Sequence, residues 1–202
     1  MFAQIIRGKV SDAKAVNATF ARWSTELAPG ATGWLGTTAG VTDDGELFIM
    51  VRFESEEAAR VNSERPEQDR FWAQASKNFV GDATFQDSTN VLTDIRGDLD
   101  SAGFVQVMVG QSRNEERGRQ IMADTRAVRT ALRPDILGQV GVGHGDGRFT
   151  MAVYFTSEED ARAGEGKQLP EELRPAMQEL MSLAVGQPEF LDLRTPWLDS
   201  PK

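Results

Sequence analysis

The sequence predicts an α+β fold in which one βαββαβ unit is written twice. Three observations predict it. The stretch VRFESEEAAR (Val51 to Arg60) returns as VYFTSEEDAR (Val153 to Arg162). Sliding the chain by that offset aligns Phe2–Arg60 with Phe104–Arg162 without a gap, matching Gln4/Gln106, Gly8/Gly110, Gly36/Gly138, Gly45/Gly147 and Phe53/Phe155. The interval is the size of a small domain rather than of a solenoid repeat, so a whole domain is duplicated. Within each copy the apolar period alternates between the two-residue period of a strand and the 3.6-residue period of a helix.

Each element follows in order. FAQIIRG and FVQVMVG are rich in apolar and β-branched residues and read as first strands. Val16, Phe20, Trp23 and Leu27 then share one helical face, and Ile121, Val128 and Leu132 keep a similar stripe. WLGTTAGV and ILGQVGVG are second strands. The Asp-Gly turns in TDDGE and HGDGR lead to third strands LFIMVRF and FTMAVYF, because glycine tolerates the positive φ of a tight hairpin. Ser55 and Ser157 read as N-caps, with the Glu pair behind each favouring the positive helix end. A second helix carries Trp72, Ala75 and Phe79 in the first copy. In the second copy it starts at Pro170 and carries Leu173, Met177, Leu180, Met181 and Ala184. A last strand near Thr84–Leu92 and Glu189–Leu193 closes each unit. Residues 1–96 and 103–202 are the two repeats, and 97–102 is the linker, within the polar, glycine-bearing Asp94–Gly103.

A βαββαβ unit makes a four-stranded antiparallel sheet with two helices on one face, the ferredoxin-like arrangement. The third strands are apolar on both faces: Leu47, Ile49, Val51 and Phe53 oppose Phe48 and Met50. Such strands are covered on both faces. The expected architecture is therefore two ferredoxin-like βαββαβ repeats packed sheet-to-sheet as an intramolecular α+β barrel. The chain would be a monomer with a pseudo-dimeric barrel, with further self-association through barrel edges left open.

Composition excludes several functions. The net charge of −9 repels a phosphate backbone and an anionic membrane surface, so neither nucleic acid nor membrane is an expected partner. There is no cysteine, which removes disulfides, thiolate catalysis and zinc–thiolate sites. The start MFAQIIRGKV carries no signal-peptide pattern, and no apolar run is long enough to cross a bilayer, so a cytoplasmic protein is expected. The lone histidine, His144, sits at a hairpin tip and reads as an exposed turn residue rather than a general base. A multi-histidine metal site is impossible, and Asp43–Asp44 belong to a turn. GQVGVGHGDG lacks the Gly-Lys-Ser/Thr ending of a phosphate loop, and no helix follows it. No metal and no cofactor is expected.

The order of elements and the F-x-S-E-E-x-A-R entry into a helix resemble the dimeric α+β barrel superfamily. The nearest branch is the antibiotic-biosynthesis-monooxygenase-like domains, here in tandem. The resemblance covers Phe2 to Leu92 and Phe104 to Leu198, and its motif reports fold rather than chemistry. It implies one of several activities: cofactor-independent oxygenation of polycyclic phenols, haem degradation, isomerisation or decarboxylation. The haem-degrading branch would need an axial histidine after the third strand. ARVNSERPEQDRFWAQ and ARAGEGKQLPEELRPAM contain none.

Two functional readings stand. One is a small-molecule enzyme resembling cofactor-independent monooxygenases or isomerases, acting on an aromatic or polyketide-like compound. Arg52, Asn62, Trp72 and Tyr154 are its candidate catalytic residues. Arg52 suits an anion and Tyr154 a carbonyl, although each also reads as a packed residue with its polar end at the rim. The other is a non-catalytic small-ligand-binding or scaffold protein of the same fold. Gln4, Trp34 and Gln106 are candidate ligand-binding residues. The two glutamines are equivalent and are either a hydrogen-bonded structural pair or cavity groups. The aromatic and cationic content of the first repeat points to it as the ligand-bearing half.

Overall fold

The computed structural model describes Met1–Pro201. In chain order the elements are β1 (Phe2–Lys9), α1 (Ala13–Arg22), β2 (Trp34–Val41), β3 (Glu46–Phe53), α2 (Glu56–Ser63), α3 (Pro66–Ala75), β4 (Thr84–Ser88) and β5 (Val91–Ile95). They continue with β6 (Phe104–Gln111), α4 (Glu115–Asp124), α5 (Arg126–Leu132), β7 (Ile136–Gly143), β8 (Arg148–Phe155), α6 (Glu158–Glu165), α7 (Arg174–Ser182), β9 (Glu189–Leu193) and β10 (Trp197–Asp199). The chain forms two compact units. Unit 1 is Met1–Val91 with the segment from Leu193 onward, and unit 2 is Leu92–Asp192.

Both units are α+β and ferredoxin-like, as the duplication predicts. Each sheet has five strands rather than four, in the orders β10-β2-β3-β1-β4 and β5-β7-β8-β6-β9. The central pairs are antiparallel and repeat in register: Gln4 lies opposite Val51, and Gln106 opposite Val153. The fifth strands differ from expectation for a physical reason. A four-stranded unit leaves the outer edges of β2 and β7 with unpaired backbone groups. β10 takes the first edge, with Trp197 opposite Ala39 and Asp199 opposite Thr37. β5 takes the second.

The predicted last strand of copy one is in fact two. The Ser88 hydroxyl accepts from the backbone N–H of Asn90 at 3.0 Å and bends the chain between β4 and β5. The polar stretch after β5 is packed, since a 3-10 turn at Leu99–Ser101 buries Leu99 and Ala102.

The local chemistry of the helices explains their starts. Ser55 accepts from the N–H of Ala58 at 3.1 Å, and Ser157 from that of Asp160 at 3.0 Å. α1 runs into a wider π-helical turn, Trp23–Leu27, which keeps Val16, Trp23 and Leu27 buried on one side. In α7 the predicted apolar face narrows. Leu173, in the turn just before the helix, is buried, but no residue within α7 is, and Met181, one residue beyond Leu180, turns out to solvent.

β3 is buried on both faces. Leu47, Phe48, Ile49 and Met50 are fully covered. On its helix-facing side two apolar clusters meet, one around Phe2, Trp23, Trp34, Phe53 and Phe71, the other around Ile6, Val16, Ala39 and Ile49. Phe20, Val51 and Trp72 touch both.

The hairpin glycines set a graded test. Gly147 has φ +73, and a Cβ there would collide with the carbonyl oxygen of Ser112. Gly45 has φ +82, but the nearest atom to its Cβ would be Val10 O at 3.5 Å. Gly45→Ala is expected to lose about 1 kcal/mol, from backbone strain alone. Gly147→Ala is expected to lose more than ~2 kcal/mol, because backbone must move as well. Urea denaturation of both variants checks the order.

Candidate functional site

Unit 1 contains a cavity of about 660 Å³ between its helices and the β1–β3 face of its sheet. The strand period places its floor. Phe2, Gln4 and Ile6 of β1, Thr37 and Ala39 of β2, and Ile49, Val51 and Phe53 of β3 all point to the helix side. α1 and its π turn contribute Phe20 and Trp23, and α3 contributes Phe71 and Trp72. β10 adds Trp197. The interior is therefore aromatic. Trp72 packs edge-on to Phe85 (5.2 Å between ring centres), and Phe20 to Phe71 (5.5 Å).

A few polar groups interrupt this lining. Asn62 is buried, and its Oδ1 accepts from Arg65 at 2.9 Å. That bond fixes the amide orientation, and the amide NH2 has no partner among the described residues. The Trp23 indole N–H donates to Gln68 at 2.8 Å. Gln4 donates to Asp87 at 2.9 Å, a bond set by their direct opposition across β1 and β4. At the mouth stand the exposed Glu56, Arg60 and Asp87. Arg60 turns away, onto Glu57 at 2.6 Å and onto Glu64.

The sequence-predicted residues separate into two groups. Gln4, Asn62 and Trp72 line the cavity together. Trp34 stands behind the wall. It packs edge-on to Trp23 at 5.3 Å and donates to Thr37 at 3.1 Å. Arg52 points to the opposite face of β3, where it is buried and bonds the carbonyl of Leu35 at 3.4 Å. Its Nε has no hydrogen-bond partner among the described residues. Tyr154, the equivalent residue of unit 2, is fully buried. Gln106 donates to Asp192 at 3.0 Å, repeating the Gln4–Asp87 bond in unit 2. Sequence reasoning missed Phe2, Asp87 and Trp197. The Gln4–Asp87 partnership needed the β1–β4 register, and Trp197 needed the knowledge that the last strand joins the first repeat's sheet.

His144 is half-buried rather than exposed. Its Nε2 lies 2.9 Å from the Thr150 hydroxyl, and its Nδ1 is buried without a partner among the described residues. It belongs to unit 2 and does not line the cavity. Among the described residues no cluster of three or more His, Asp or Glu side chains could hold a metal, and no helix is long and apolar enough to cross a membrane.

Comparison with known proteins adds the fold class. No protein-family model matches the sequence, and no curated protein matches it. Solved structures do. A putative monooxygenase from Fusobacterium nucleatum is 9% identical, with 98% of this chain and 94% of that chain covered and a TM-score of 0.79. An anthrone oxidase-like protein is 13% identical, with 98% and 92% covered and a TM-score of 0.65. A ferredoxin-fold protein of Listeria monocytogenes, related to antibiotic biosynthesis monooxygenases, is 12% identical, with 100% and 95% covered and a TM-score of 0.50. The resemblance read from the sequence thus holds at the level of fold, over the full tandem length. At these identities it says nothing of activity.

Burial holds the His144 pKa below its usual value, and Arg148 pushes the same way against a smaller upward pull from Glu115. An unfolded histidine takes up a proton as pH falls through about 6.5, while the folded one resists. The neutral ring's contribution is full above that pH and is lost below it. The wild-type protein should therefore lose more stability than His144→Gln between pH 7.5 and pH 5.5, followed by urea denaturation. Equal losses would contradict the assignment.

Proposed function

We propose that unit 1 binds a small aromatic or polyketide-like compound and oxidises it in the manner of the cofactor-independent monooxygenases whose fold it shares. The observation that carries this reading is the cavity itself: about 660 Å³, walled by aromatic side chains, with one buried amide donor that has no partner among the described residues. Small-molecule sites have this size and make-up.

Trp72, Phe20 and Phe71 orient a flat ring against the sheet and exclude water from it. The Asn62 NH2 donates to a phenolic or enolic oxygen and stabilises the charge that builds there as the substrate is oxidised. The reaction class converts a ring CH2 to C=O with dioxygen. One oxygen atom enters the product, and the other leaves as water with the two hydrogens removed. Gln4 holds Asp87 at the mouth, and Trp34 backs the wall through Trp23. In this reading Arg52, Tyr154 and Gln106 shape and stabilise the scaffold.

A specific observation favours a second reading, non-catalytic ligand binding. The cavity lining contains neither histidine nor cysteine, so its titratable groups are carboxylates and Arg60. Oxygen uptake with anthrone- and quinol-type compounds, without added metal or cofactor, separates the two. Turnover is expected. Trp72→Ala should reduce it about tenfold or more, from lost orientation. Asn62→Asp keeps the acceptor for Arg65 and removes the donor, and should reduce it by about 10²-fold. Binding without turnover would establish the second reading instead.

A further inference from the structure

Resting on unit 1 as the ligand-binding half, we infer that its cavity selects a ligand carrying a positive charge, an ammonium or amidinium group attached to an apolar ring. The second copy carries cations at the same positions. In unit 2 the Arg162 guanidinium lies 5.2 Å from the centre of the Phe104 ring and pairs with Asp192, which also accepts from Gln106. The Arg133 guanidinium lies 5.4 Å from the centre of the Phe155 ring. Arg133 also fills the space at Gly164, the counterpart of Asn62, where a Cβ would collide with its guanidinium. Unit 2 therefore holds two planar cations against two phenylalanine rings, each with its own carboxylate: Arg162 on Asp192 and Arg133 on Asp135.

Unit 1 keeps the two rings and the Gln–Asp pair, and lacks both Arg133 and its carboxylate, the counterpart of Asp135 being Gly33. Phe2 and Phe53, the counterparts of Phe104 and Phe155, line the cavity. Gln4 and Asp87 repeat the Gln106–Asp192 pair. The counterpart of Arg133 is Ala31. Arg60, the counterpart of Arg162, is drawn outward by Glu57 and Glu64, and the residue matching Glu64 in the second copy is Gly166. Glu56, Asp87 and Asp199 also line the cavity, and none of them makes an ion pair among the described residues. The site thus presents ring faces and carboxylates that no ion pair neutralises among the described residues, the pair of features that attracts an organic cation. The Asn62 NH2, without a partner among the described residues, adds a place for an oxygen acceptor on the same ligand.

The test uses one ring with three charges: 2-naphthylmethylamine, 2-naphthalenemethanol and 2-naphthoate, titrated calorimetrically into the full chain. The ammonium is expected to bind about tenfold tighter than the alcohol and the carboxylate weakest of the three. Asp87→Asn should abolish the preference for the ammonium over the alcohol, and Arg60→Ala should leave or increase that preference. Equal affinities, a preference for the carboxylate, or a preference untouched by Asp87→Asn would overturn the inference, with the aromatic site of unit 1 still standing. Binding of the amine only in Arg60→Ala would also overturn it, because Arg60 would then be the natural occupant. If none of the three binds, the small-molecule reading of unit 1 falls and takes the inference with it.

Discussion

Unit 1 depends on the hydrogen bonds along the outer edge of β2, where Trp197, Leu198 and Asp199 pair with Ala39, Thr38 and Thr37. A four-stranded unit would leave that edge with unpaired N–H and C=O groups, open to any passing strand. β10 closes it. The same register that satisfies the backbone puts Trp197 on the helix side of the sheet, against Ile6, Ala39 and Ile49, where it becomes cavity wall. The Arg194–Asp43 ion pair ties the approach to β10 onto the β2–β3 turn. Both ends are exposed, so the pair positions the segment more than it stabilises it.

The two copies show how a duplicated unit diverges around an unchanged frame. The strand registers, the serine caps and the Gln–Asp cross-strand pairs repeat. The side chains over the helix-facing side of the sheet do not. The first copy places Phe20, Trp23 and Asn62 there, and the second places Met122, Thr125 and Gly164. The second copy fills the equivalent space with arginine stacked on phenylalanine, while the first leaves a cavity. The frame tolerates this because β3 and β8 are anchored from the other face, where Phe48, Met50, Ala152 and Tyr154 are fully buried.

Most of the fold was legible because its signals are local. Period, Asp-Gly turns and serine caps decide each element within a few residues, and repetition doubles the signal. The strand exchange was not legible, since edge pairing between distant segments leaves no periodic trace, and Trp197–Asp199 is only three residues long. The site was legible in part. Asn62 and Trp72 stood out as a polar residue and an aromatic in the helices after β3, and both line the cavity. Arg52 and Tyr154 drew notice as polar residues in apolar strands, but alternation sends Arg52 to the face away from the cavity, and Tyr154 belongs to unit 2. Asp87 sits in a polar strand where nothing in the sequence distinguishes it from a solvated carboxylate.

Hydrogen exchange across residues 34–41 tests the dependence of unit 1 on its fifth strand most directly. It should be compared between the full chain and a chain ending at Leu193. Slow exchange is expected in the full chain, with faster exchange at Thr37–Ala39 in the shortened one and loss of aromatic ligand binding with it. Unchanged protection and unchanged binding in the shortened chain would contradict the account.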